Sequence, residues 1–585
     1  MNGRSGVFKF FLFLFLGVII LLQVLSMLQA DRLYKRLNVL VGRLEGPSFG
    51  PSRPSGKPAE SKAAAFEEYP GDEGDWLMSR LEDEPRSLNS VIETSNYGTQ
   101  VMDRNIFEAL LDYDLDSADL KMKPYLAESY EMSQDGLQIT FRLRDDIHFS
   151  DGHPITPDDV IFTYETIMNP GVDAAHLANY YRDIERVEKI SDREVRFIMA
   201  RVYFRSLEIA SLQGVGILPK HVYEFNDPAE FNKRRTNPVG SGPYVFEKWD
   251  VGRQIVLRRN ENYWGSKPKL KKMVFRVITN DKAAVQSLRA GEIDYVYRPL
   301  PEQFDELCRD ETFTREFRCL SYWNPGVGYF WIGWNEDRPF FKDRRVRLAM
   351  THLVDRQAIC KRLLKIPEAQ IPTGHFYIYS PQSDPNIKPW PYDPERAKQL
   401  LDEAGWIDQD GDGVRDKDGV PFRFKYMIVS GLDLHEQIGK LVKDEAAKVG
   451  IDVVLDPYEG TVFFERAHNR NFDAINMSWV AGLAGDPYQV WHSSQIGNRG
   501  SNYVGFNNPR ADALIEEARR TLDDDKRNSL YHQFHRILHE EQPYTFVYTR
   551  PTQEWLNRRF ENVIEHKLSL NPIEWYVPKD KQKYK

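Results

Sequence analysis

Short stretches of alternating apolar and polar residues are interleaved along this chain with longer stretches of helical periodicity. LQITFRLRDDIHF, residues 137–149, alternates with period two and predicts a strand at the edge of a strand pair. TPDDVIFTYETIM, residues 156–168, opens with threonine, then proline, then two acids. The threonine hydroxyl can cap free amides, proline pre-sets φ, and the acids complement the helix dipole, so a helix is predicted to start there. DPERAKQLLDEAG, residues 393–405, repeats that opening, spaces its apolar residues by three and four, and stops at glycine. NPRADALIEEARRTLDDDKRNSLYHQFHRILHEEQP predicts two amphipathic helices ended by Pro543. Strands alternating with helices, with no strong internal repeat, point to a mixed α/β fold.

One hydrophobic run has neither period. FFLFLFLGVIILLQVLSML, residues 10–28, follows Arg4 and Lys9. It is long enough to cross a bilayer and longer than an ordinary signal-peptide core. Ala30 offers a cleavage point, but Leu28 at the minus-three position is a poor small-residue match, and no cysteine follows to take a lipid. Residues 1–30 are therefore read as an uncleaved signal anchor, with a cleaved signal peptide as the alternative. Arg32, Lys35, Arg36 and Arg43 weakly oppose an outward C-terminus by the positive-inside tendency. Residues 31–74 comprise this juxtamembrane segment and a Pro/Gly/Ser/Ala-rich tether with too few apolar groups to offset ordering entropy.

The chain has 585 residues, too many for one hydrophobic core, so two to four domains are expected. Its 13% aromatic content, with 29 Tyr and 12 Trp, suits either ligand recognition or burial in a large mixed fold. The net charge of −9 is spread along the chain and argues against a nucleic-acid partner, which needs a concentrated basic face. Cys308 and Cys319 can close a small loop in an oxidising compartment; the other reading, slightly favoured, is that they and Cys360 are buried thiols. No CxxC or HExxH signals zinc, and no GxSxG signals a hydrolase, so an enzyme is the minor reading.

NPVGSGPYVFEKWDVGRQIVLRRNENYW, residues 237–264, resembles a signature of the family 5 extracytoplasmic solute-binding proteins. These are peptide, nickel and oligosaccharide receptors that feed ABC importers. LQITFRLRDDIHFSDGHPITPDDVIFTYE, LRAGEIDYV, RRVRLAMTHLVDRQAI, YDPERAKQLLDEAGW and SNYVGFNNPRADALIEEA resemble further family blocks and stand in the family's order. The resemblance covers roughly residue 75 to the C-terminus. It implies a two-lobed periplasmic-binding-protein clamshell of the class II type, with an extra domain inserted in the first lobe. Lobe I is placed at 75–112, 237–321 and 544–585, the inserted domain at 113–236, and lobe II at 322–543.

The resemblance also implies where a ligand sits. The loop SWVAGLAGDPYQVWHSSQIGNRGS, residues 478–501, offers Trp479 and Trp491 for stacking, each of which can instead plug the core. Peptide-binding relatives carry an aspartate three residues after the tryptophan to pair with the α-ammonium; here that position is Gly482. Asp486, the loop's single acid, would have to take that role, because a buried ammonium needs a partner. His492 can donate or accept. On the opposite lobe, SNYGTQ offers Tyr97 and Thr99. Tyr244 and Trp249 are read as structural, and the Gly-Ser-Gly-Pro turn as a lobe crossover.

DQDGDGVRDKDG, residues 408–419, spaces Asp408, Asp410, Asp412 and Asp416 like an EF-hand loop but ends in Gly419 where a bidentate Glu belongs. A structural Ca²⁺ is expected there beside the alternative of a solvated acidic turn; no cofactor is required. The reading is a monomeric receptor that passes a peptide or similar solute to an ABC permease. It is expected to be periplasmic and tethered to the inner membrane by its N-terminal helix. The alternatives are a membrane-tethered ligand sensor with the same fold and a receptor for an oligosaccharide or other non-peptide solute.

Overall fold

Three sheets organise the chain. The computed structural model describes residues 68–117, 120–479, 485–497 and 500–584, so the predicted anchor and most of the tether lie outside the described residues. The largest sheet has seven strands in the order Phe317–Tyr322, Thr552–Asn557, Tyr295–Tyr297, Trp76–Leu81, Lys272–Val277, Gln254–Arg259 and Tyr244–Asp250. Trp76–Leu81 runs parallel to both its neighbours and is buried along nearly its whole length, as a strand covered on both faces must be. Leu77 and Leu81 enter one core, and Met78 enters the other with Trp555 and Phe304.

This lobe is closed by its own C-terminus. Arg559 lies between Asp75 and Asp294, all three nearly inaccessible. Its guanidinium donates to Asp294 at 2.7 and 3.0 Å, to the Trp76 carbonyl at 2.8 Å, and to Asp75. A buried guanidinium with its donors spent on carboxylates ties the last segment to the first strand. Cys308 and Cys319, at 6.0 Å between Cα atoms, form a disulfide in the same lobe, so the reading of three thiols is corrected; Cys360 remains a buried thiol.

The inserted part forms a four-stranded antiparallel sheet: Ala127–Met132, Gln138–Leu143, Glu194–Met199 and Ile184–Lys189. Helix Pro157–Met168 packs on it and begins where the sequence predicts, with a reciprocal box between Thr156 and Asp159. The Gly-Ser-Gly-Pro turn is not a lobe crossover. Gly240 and Gly242 press against the backbone of Asn105 and Ile106, where a Cβ would collide with their carbonyls, so the turn seats the chain as it leaves the inserted domain.

The third sheet has five strands in the order Asp452–Tyr458, Arg423–Val429, Ala474–Trp479, Tyr329–Trp334 and Tyr544–Tyr548. YFWIGW at Tyr329–Trp334 is buried at every position, and Gly333 is small because a Cβ would strike the Trp331 ring and Val504. Tyr544–Tyr548 pairs with this strand and so belongs to lobe II; the expected boundary at 544 moves to about 549. The helices Pro394–Glu403, Pro509–Arg519 and Asp524–Glu541 form as the sequence predicts, capped by Asp393, Asn508 and Asp523.

Candidate functional site

Two short segments carry the chain between the large sheets. One leaves Tyr322 and enters Tyr329; the other leaves Tyr548 and enters Thr552. They are cross-linked side by side. Asn324 donates to the Thr552 hydroxyl at 2.9 Å, and the Thr549 hydroxyl donates to the Gly328 carbonyl at 2.8 Å. Two parallel crossings are the geometry of a hinge, with few residues to absorb a closing motion.

A cavity of about 180 Å³ opens on this hinge, walled by Tyr329, Ser478, Trp479 and Tyr548 from lobe II and by Arg298, Arg550 and Thr552 from the crossings and lobe I. A second cavity, of about 470 Å³, lies on the lobe I side, lined by Thr99, Gln100, Tyr295, Tyr322, Asn324 and Glu554 among others. Arg298 lines both. Together they give an inter-lobe cleft with aromatic walls and a few polar groups, the make-up of a small-ligand site.

The wall is built by strand ends. Trp479 is the last residue of Ala474–Trp479, stacked at 5.6 Å on Tyr503 and at 6.0 Å on Trp331, so one part of its ring is packed and another faces the cavity. The segment after it, 480–484, which includes Gly482, lies outside the described residues. Thr99 lines the lobe I cavity, on helix Asn96–Met102 capped by Ser95. Tyr97, two residues earlier and on another face of the same helix, packs against the lobe I core instead.

Three sequence-derived candidates turn out to have other work. Trp491 is wholly buried, 4.5 Å from Tyr544 and 5.8 Å from Phe506 between ring centroids, and fills the core of lobe II. His492 is buried, caps Ser494, stacks on Tyr488 at 4.4 Å and lies 3.3 Å from Glu516. Asp486 accepts from Arg519 Nε at 2.9 Å and from the Tyr203 hydroxyl at 2.7 Å, so its charge is already compensated. Tyr203 belongs to the inserted domain, and the Arg519 guanidinium lies over its ring at 4.7 Å. The Phe204 amide donates to the Arg519 carbonyl at 2.9 Å, and Tyr180 donates to Gln489 at 3.2 Å. These contacts join the inserted domain to lobe II.

Sequence reasoning missed Arg298, Arg550 and Glu554. Glu554 is 1% exposed; it accepts from the Tyr322 hydroxyl at 2.8 Å, and burial pushes its carboxyl up to about 7. Burial pulls the His375 imidazole, hydrogen-bonded to the Tyr329 hydroxyl at 3.0 Å, down to about 4. In the acidic loop, Asp408, Asp410 and Asp416 each bring an oxygen within 4.8 Å of the others while also accepting loop amides, and Asp412, which accepts from the Val414 amide at 2.7 Å, stands outside that group. Three carboxylates of four therefore suit a hard cation, which wants converging oxygens.

The comparisons agree with this geometry. Residues 121–502 match the family described as "Bacterial extracellular solute-binding proteins, family 5 Middle". The chain is 31% identical over 541 residues to the oligopeptide-binding protein AppA of Bacillus subtilis, covering 89% of this chain and 95% of that one. It is 26% identical over 453 residues to the nickel-binding periplasmic protein of Escherichia coli, covering 75% and 82%. The solved structure of the B. subtilis AppA in complex with a nonapeptide superimposes with a TM-score of 0.72 at 29% identity, covering 87% of this chain and 100% of that one. NikZ of Campylobacter jejuni in complex with Ni(L-His) gives 0.72 at 26%, covering 86% and 99%. A hinged cleft between two sheet-based lobes, a family match over well over half of the sequence and a relative aligned along nearly its whole length lead to one conclusion: the chain belongs to the bacterial extracellular solute-binding proteins, family 5.

Proposed function

We propose that this protein captures a peptide or similar solute in the inter-lobe cleft and hands it to the permease of an ABC importer, as a carrier and not a catalyst. The observation that carries the reading is the hinge cavity walled by Trp479 from lobe II and by Arg298 and Thr552 from lobe I, which closure can complete around a ligand. The similarity to a relative named for oligopeptides and solved with a nonapeptide supports a peptide. The test is native mass spectrometry of residues 68–585 purified without refolding from an extracytoplasmic compartment. Peptide adducts are expected; a protein that carries none and captures none from a peptide mixture would sink the peptide reading.

A non-peptide solute is the second reading. Gly482 stands where peptide-binding relatives carry an acid, and Asp486 is spent on Arg519 and Tyr203, which favours a ligand without a free α-ammonium. A sugar-like or single small-molecule adduct in the same spectrum would establish it. The sensor alternative rests on tethering and predicts ligand-dependent binding to a signalling protein instead of a permease.

The membrane anchor rests on residues 10–28. Among the described residues no helix is long and apolar enough to cross a membrane. The full chain is expected to stay in membranes after a carbonate wash; a mature chain beginning at Asp31 would show cleavage instead. A structural Ca²⁺ would be held by Asp408, Asp410 and Asp416, joining the loop's two ends. Millimolar Ca²⁺ is expected to raise the melting temperature by a few degrees, and Asp408→Asn with Asp410→Asn to abolish the rise. Indifference of the wild type to both Ca²⁺ and chelator counts against the metal.

A further inference from the structure

Several buried and half-buried arginines in this protein are spent. Arg559 is held by Asp75 and Asp294, Arg347 by Glu541 and Glu336, and Arg519 by Asp486. Arg356 has no carboxylate but donates to the carbonyls of Phe546 and Trp390. Arg298 and Arg550 are different. Both are half-buried in the wall of the hinge cavity, and neither has a carboxylate at ion-pair distance among the described residues. Arg298 makes one long bond, at 3.3 Å, to the Gly326 carbonyl and lies 5.0 Å from the Tyr297 ring. Arg550 makes one, at 3.3 Å, to Gln553.

Two guanidiniums lining one partly buried cavity repel each other, and the Arg298 charge helps to lower the pKa of Arg550, after burial. The acids near them do not relieve this. Glu554 spends an oxygen on Tyr322 and is held toward the protonated form by burial, and Glu82 feels Arg298 only at a distance. Arg298 moreover has φ +51°. A non-glycine residue in that region is strained and persists where its surroundings over-determine it. Here the Arg298 amide donates to the Gln553 carbonyl at 3.0 Å, on the strand that follows Arg550, so one hydrogen bond sets the spacing of the two cations.

We propose that Arg298 and Arg550 form an anion subsite on the hinge that binds a carboxylate of the captured solute. A carboxylate would receive forked N–H donors from the crossing that carries Arg550 and from the lobe I turn that carries Arg298, and replace their repulsion by two charge-assisted contacts. Because Arg550 sits on a hinge segment, the bound anion also links ligand recognition to the closed arrangement. This deepens the proposal of a peptide-type receptor and takes from it only that the ligand occupies this cleft. A peptide can supply the carboxylate from its C-terminus or from an Asp or Glu side chain, and the test separates these sources.

The probe is a mixed pool of short peptides in four matched forms: free or amidated C-terminus, with or without Asp and Glu. Capture is read by native mass spectrometry for wild type, Arg298→Gln with Arg550→Gln, and Arg298→Lys with Arg550→Lys; melting curves confirm that each is folded. Wild type is expected to enrich carboxylate-bearing forms at least tenfold over neutral ones, with the Gln pair losing the preference and the Lys pair keeping part of it. Loss of preference on amidation assigns the C-terminus, and loss on removing Asp and Glu assigns a side chain. Peptide capture without a carboxylate preference, or with the same preference in the Gln pair, overturns the subsite. If no peptide is captured, the peptide reading fails separately, and citrate decides the subsite. Thermal stabilisation of the wild type by millimolar citrate that the Gln pair lacks upholds it, and equal or absent stabilisation in both overturns it.

Discussion

Trp479 and Trp491 lie in the same aromatic loop, and the residue scale separates them. Trp479 ends a strand with part of its ring facing the cavity, whereas Trp491 is enclosed by Tyr544, Phe506 and Phe546. Trp479→Ala is therefore expected to weaken binding of a peptide captured by the wild type at least several-fold, with a modest loss of melting temperature from its contacts with Tyr503 and Trp331. Unchanged affinity in calorimetry would remove Trp479 from the site. Glu554 carries a pH prediction. Its carboxyl is pushed up to about 7 from 4.5 because burial penalises the charge. The folded state then holds this proton more tightly than the unfolded state. Stability from this group is full below pH 4.5 and is lost as pH rises through about 7, on the order of 3 kcal/mol in all. Glu554→Gln cannot ionise, so its melting temperature relative to wild type is expected to rise between pH 5 and pH 8. A difference independent of pH would refute the buried, proton-holding carboxyl.

At the scale of elements, the contact of Tyr203 with Asp486 and Arg519 is a latch between the inserted domain and lobe II. Its members come from the turn after Glu194–Met199, the loop before Tyr488–Trp491 and the end of Pro509–Arg519. Such contacts bias a clamshell toward closure, and the closed population multiplies apparent affinity. Tyr203→Phe removes the hydroxyl that Asp486 accepts without emptying the space. It is expected to lower ligand affinity about threefold to tenfold and to raise the radius of gyration of the ligand-free protein in small-angle scattering. Identical scattering and affinity would make the contact passive. The helices around it were legible in the sequence because caps act within one turn: Thr156 with Asp159, Asp393 with the Arg396 amide, Asn508 with the Arg510 and Ala511 amides. The role of Asp486 was not, since its partner Tyr203 is 283 residues away.

Across the whole molecule, the order of family blocks and the alternation of strand and helix patterns sufficed for a two-lobed α/β receptor with an insertion, because each signal is local and their order is fixed by the chain. The lobe boundary near residue 544 was misjudged for the complementary reason. YTFVY at Tyr544–Tyr548 is a short apolar strand that either sheet could accept, and only its pairing with Tyr329–Trp334 assigns it. The same holds for Cys308 and Cys319, whose pairing depends on a Cα separation that spacing alone does not fix. By itself, then, the sequence determined the elements, their caps and the family. The tertiary structure decided which aromatic rings face the cleft, which acids are already compensated, and that Arg298 and Arg550 line one cavity at the hinge. Those properties depend on burial and on neighbours brought together from distant segments, which no local pattern encodes.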